Sequence, residues 1–65
     1  MTEQQKRNLM ARAEDMGITL NGKPARVLGA KLDFATVACC PQGESYQWTW
    51  EAIGRILDKG GKFSS

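Results

Sequence analysis

Between Tyr46 and Glu51 the chain sets an aromatic residue at every second position, Tyr46, Trp48 and Trp50, and then changes period. In a strand, alternate side chains share a face. The three rings are therefore predicted to line one side, with Gln47 and Thr49 on the other. Ile53, Ile56 and Leu57 follow at helical spacing. The run reads as a strand feeding directly into a helix, its aromatic side the floor of a core. A chain of 65 residues forms one domain and buries only about 60% of its unfolded surface. Few other large side chains are available to fill that core, so Trp48 and Trp50 are expected inside it, with Phe34, Val37, Ile53, Ile56 and Leu57.

Upstream, Thr2-Glu3-Gln4-Gln5 fits a capping box. Leu9, Met10, Ala13 and Met16 make a narrow apolar stripe and Gly17 is a natural stop, which predicts a helix over about 3–16. Glu14 and Asp15 fall at its C-terminal end, where the helix dipole disfavours acids, so the helix depends on docking. Ile18-Thr19-Leu20 alternates, and Asn21-Gly22 is the strongest two-residue hairpin signal. Pro24 keeps the start of the next strand at an edge or out of the ladder. That strand runs from Ala25 to Leu32, with Gly29 as a bulge or close-approach point. Asp33 marks a turn. Phe34 to Cys40 is apolar on both faces, as in a central strand or a small closed barrel, and Pro41-Gln42-Gly43 turns the chain into the aromatic strand. Thr49 can cap the second helix, about 50–59, which Gly60-Gly61 ends. Mid-helix Gly54 costs about 1 kcal/mol against alanine, a cost that a tight helix–sheet contact would offset. Glu3–Arg7 and Glu51–Arg55 are spaced to pair along their helices. Residues 62–65 read as a frayed tail from which Phe63 can fold back. The expectation is an α+β domain: about four strands, at about 18–50, in a small twisted antiparallel sheet, with an N-terminal and a C-terminal helix packed on it. An SH3-like barrel with an added helix is the alternative.

Several functions lack their parts. The chain has no histidine, and its two cysteines, Cys39 and Cys40, are adjacent. Neighbouring cysteines reach normal disulfide geometry only with strain, so two reduced thiols in a cytoplasmic protein are expected. With no Cys-x-x-Cys and no base to activate a nucleophile, neither metal nor catalytic residues are assigned. No cofactor is expected. Gly60-Gly61-Lys62 is not a phosphate loop, because Phe63 follows the lysine. No apolar run reaches the ~20 residues of a membrane span.

What remains is binding. Lys23, Arg26 and Lys31 cluster in one hairpin region and can meet an acidic surface, although such residues usually form a solvated strand face. Tyr46 and Arg55 are the further contact candidates, aromatics and arginine being enriched at interface hot spots. The net charge of +2 is too small to argue for nucleic acid by itself. A nucleic-acid module would need an exposed aromatic beside the hairpin lysines. A homodimer hiding an apolar sheet face is a third reading.

Four segments carry a family resemblance: Asn21-Gly22-Lys23-Pro24-Ala25, Phe34-Ala35-Thr36-Val37, Trp48-Thr49-Trp50-Glu51 and Gly60-Gly61-Lys62-Phe63. From Asn21 onward the chain resembles short accessory proteins encoded by bacteriophages and prophages, while the first helix has no counterpart. The resemblance implies a small phage accessory protein, of a kind that often works by binding a host or defence protein, as anti-CRISPR inhibitors do; the non-catalytic reading comes from the missing catalytic residues. It transfers no functional residue.

Overall fold

A computed structural model describes residues 2–39 and 43–64. Cys40 and the Pro41-Gln42 turn lie outside the described residues, as does Ser65. The first helix, α1, spans Glu3–Met16. Its capping box forms: the Gln5 N–H donates to Thr2 Oγ1 at 3.2 Å and the Thr2 N–H to Gln5 Oε1 at 2.8 Å. The strands are β1 (Thr19–Leu20), β2 (Lys23–Ala30), β3 (Phe34–Cys39), β4 (Ser45–Thr49) and β5 (Lys62–Phe63), with helix α2 (Trp50–Asp58) between the last two. They form one five-stranded sheet in the order β4-β3-β2-β1-β5. The domain is α+β, as its pattern predicts, with one strand more. β5 pairs with β1 in parallel, so the sheet is mixed.

Local chemistry explains the register. Asn21 and Gly22 both have positive φ, 53° and 84°, as a primed two-residue hairpin turn requires. Leu20 thus faces Lys23, and Thr19 faces Pro24. The Ala25 N–H donates to the Ile18 carbonyl, so Pro24 turns its missing N–H away from β1 by the alternation of antiparallel pairs. On that other side, described pairing with β3 begins only at Ala25–Cys39. Leu28 is an extra residue in β2: the pairing steps from Val27–Val37 to Gly29–Thr36, a β-bulge.

One face of the sheet carries Ala25, Ala35, Val37 and Cys39, which join Ala13 of α1 and Trp50, Ile53 and Leu57 of α2 in a single core. Ile18, Leu20 and Phe63 complete it. Phe34 is half-buried and outside this core, contrary to expectation. It pairs with Thr49 and alternates with core residue Ala35, so the strand period sends it to the opposite face. Ile56 is partly buried against the core.

The sheet is strongly curled. In a flat five-stranded sheet the outer strands stand about 19 Å apart, four spacings of about 4.8 Å. Yet the rings of Trp48 on β4 and Phe63 on β5 meet edge to face at 5.0 Å. The outer strands are not themselves hydrogen-bonded neighbours, so the curl approaches a barrel without closing one. Lys62–Phe63 is consequently not a frayed tail: the Thr19 N–H donates to the Gly61 carbonyl and the Asn21 N–H to the Phe63 carbonyl.

Candidate functional site

The aromatic run divides between two elements. β4 ends at Thr49, whose side chain accepts from the Ala52 N–H and starts α2. Trp50 therefore enters the core from the helix's first turn and not from the strand face. It is 1% exposed, and its Nε1–H donates to the Lys31 carbonyl at 2.9 Å. Trp48 is half-buried between Phe63 and Tyr46, with ring centroids at 5.0 and 6.2 Å. Of the three rings only Tyr46 is substantially open, at 39%. A base-stacking platform of two indoles is absent from this arrangement.

The expected cation cluster also divides. Lys23 and Lys31 stand at opposite ends of β2, about 25 Å apart by the rise of a strand. Arg26 pairs with Glu14 of α1 at 2.9 Å, which offsets one of the two acids at that helix end. Arg55 is exposed on α2, far along the chain from the hairpin. Among the described residues neither Glu3–Arg7 nor Glu51–Arg55 closes to ion-pair distance. The helices are bridged instead by Arg12 and Asp58 at 2.8 Å.

Lys31 acquires different neighbours. An open groove between the start of α1 and the turn of the β2–β3 hairpin is lined by Glu3, Lys6, Arg7, Ala30, Lys31 and Leu32, among others. The hairpin turn is held by the Lys31 N–H donating to the Phe34 carbonyl at 2.8 Å and by Trp50 beneath it. Lys6 is 8% exposed, its Nζ 5.8 Å from the centre of the Trp50 ring. Its stem fills core space while its ammonium stays in a cation–π position. Among the described residues Arg7 and Lys31 have no ion pair.

Two leucines on the same hairpin face solvent: Leu28 at the bulge is 68% exposed and Leu32 at the turn 80%. Scattered exposed leucines are ordinary. Here both occupy one hairpin, and Leu32 shares its groove with three cations and one acid. Such an arrangement offers apolar contact and positive charge together, the complement of an acidic segment that also carries apolar side chains. Lys6, Arg7, Leu28 and Leu32 are not distinguished by the sequence pattern. The available signal was the Leu28-Gly29 pair, because a bulge at glycine can re-aim the residue beside it.

Among the described residues no group of three or more His, Cys, Asp or Glu is placed to hold a metal, and no helix is long and apolar enough to cross a membrane. Cys39 is buried, and its Sγ lies 3.7 Å from the Leu20 carbonyl, to which it donates. The chain matches no protein-family model, no curated protein and no solved structure.

Proposed function

We propose that this chain is a non-catalytic binding protein that acts stoichiometrically on a protein partner with an acidic, partly apolar surface. The observation that carries the reading is the solvent exposure of Leu28 and Leu32 on the hairpin that also presents Lys31, with Lys6 and Arg7 across the groove. The concrete version follows the resemblance noted from the sequence: a phage or prophage accessory protein that occupies the surface of a host or defence complex, in the manner of anti-CRISPR inhibitors, in the host cytoplasm. The competing nucleic-acid reading is weakened because the indoles are packed into the fold and leucines offer no stacking face.

Capture from bacterial lysate tests it. Immobilised parent protein at micromolar density is expected to retain a defined acidic protein, and retention should fall as salt rises. The Lys31→Glu and Leu32→Ser variants should lose it while keeping the parent's unfolding midpoint. No retained protein, or equal retention by both variants, contradicts the proposal.

A further inference from the structure

The edges of this sheet are not equally protected. β5 is two residues long and carries Lys62. β2 runs beyond β1 along its own edge, but that stretch holds the Leu28 bulge and Arg26, with α1 packed beside it. Short strands, charges, bulges and covering helices are the usual means of blocking edge-to-edge pairing. β4 has none of them. Its sequence, Ser45-Tyr46-Gln47-Trp48-Thr49, contains no charge, proline or bulge, and among the described residues no strand lies on its outer side.

The direction of its backbone groups follows from the ladder. The Cys39 N–H donates to the Glu44 carbonyl and the Trp50 N–H to the Asp33 carbonyl, while Tyr46 faces Val37 and Trp48 faces Ala35. In an antiparallel pair, hydrogen-bonded and non-bonded positions alternate. Tyr46 and Trp48 therefore direct their backbone groups inward to β3, and Ser45, Gln47 and Thr49 direct theirs to the free edge. All three of these outward residues are exposed.

We infer that the outer edge of β4 pairs with the β4 edge of a second copy of this chain, antiparallel and centred on Gln47. That register is self-complementary. Gln47 exchanges both of its backbone bonds with its symmetry mate. The Thr49 N–H reaches the Ser45 carbonyl of the other copy, while the Thr49 carbonyl stays with α2 as expected of an N-cap. Tyr46 falls opposite Trp48 of the second copy, and Trp48 opposite Tyr46, which are favourable aromatic cross-strand pairs. A one-residue slip would break the backbone match. The two-fold arrangement is the commonest symmetry of soluble oligomers. A seam of one five-residue strand from each copy buries less than the ~1,200 Å² of stable complexes, and Glu44 and Glu51 flank the strand, bringing acid toward acid at each end of the seam. Association is therefore weak, in the high-micromolar to millimolar range (about −4 to −6 kcal/mol), and strengthens with salt.

Sedimentation of the full chain from micromolar to about 1 mM tests this, using the parent, Gln47→Lys and Gln47→Glu. The parent is expected to pass from monomer to dimer across that range. Each charged variant should remain monomeric, because like charges meet at the dyad, and retain the parent's circular dichroism because position 47 is exposed. An equimolar mixture of the two variants should dimerise, Lys opposite Glu. A parent that stays monomeric, charged variants that associate as the parent does, or a mixture that stays monomeric overturns the inference. The hairpin cations are untouched in these variants, so partner capture is expected to continue whichever result is obtained.

Discussion

Gly54 and Gly61 sit under opposite constraints. An added Cβ at Gly54 would find only Leu9 Cδ2, at 3.9 Å, an ordinary contact. The close helix–sheet packing that could have required a glycine there is missing: the neighbour belongs to α1, and there is room. Gly54→Ala is accordingly expected to stabilise the protein by about 0.5–1 kcal/mol, the helix-propensity gain over glycine, read as a higher urea midpoint. At Gly61 φ is +75°, and a Cβ would stand 3.1 Å from Ile18 Cγ2 and 3.4 Å from Met16 Cε. Gly61→Ala is expected to cost about 1–3 kcal/mol through backbone strain, besides the crowding. The same denaturation series reads both; equal effects of one sign would contradict the packing described for these positions.

At the scale of elements, what the sequence made legible is what local chemistry dictates. The Thr2 capping box, the Asn21-Gly22 turn and the Thr49 cap each satisfy backbone groups within a few residues, so their signature is contiguous. Thr49→Ala should cost about 1 kcal/mol, the usual loss of an N-cap, in thermal or urea unfolding. Elements defined by distant partners were not legible. β5 is too short to show a period and exists because Gly61 and Phe63 carbonyls accept from Thr19 and Asn21. The side taken by Trp50 depends on where the period switches, and the Thr49 cap moves it into the helix. Leu28 reads as a strand residue beside Val27: Gly29 marks the bulge, but the apolar pattern does not say which neighbour the bulge turns outward. The candidate site was legible only in Lys31. Lys6 and Arg7 reach it through the packing of α1, while Lys23, Arg26 and Arg55 share charge type with Lys31 but not location.

Across the whole molecule, the curl of the sheet ties the last strand to the fourth. The Trp48–Phe63 contact and the burial of Phe63 make the C-terminal segment part of the core. Truncation after Gly61 removes a fully buried phenylalanine, worth about 3–5 kcal/mol by large-to-small substitution, and strips β1 of its outer partner. For a domain of this size that is a large fraction of total stability. The shortened chain is predicted to be largely unfolded at 37 °C by circular dichroism; a cooperative transition near the parent's midpoint would show that the closure is dispensable. The division of labour follows from the same packing: the large rings hold the fold, and the hairpin leucines and cations are left facing solvent.

Equilibrium urea unfolding of Trp50→Ala beside the Leu28→Ser/Leu32→Ser double variant tests that division directly. Trp50→Ala is expected to lose about 3–5 kcal/mol, and the leucine pair to change stability by no more than about 0.5 kcal/mol, typical of surface positions. A folded, undiminished Trp50→Ala protein, or a leucine pair whose loss unfolds the domain, would contradict it.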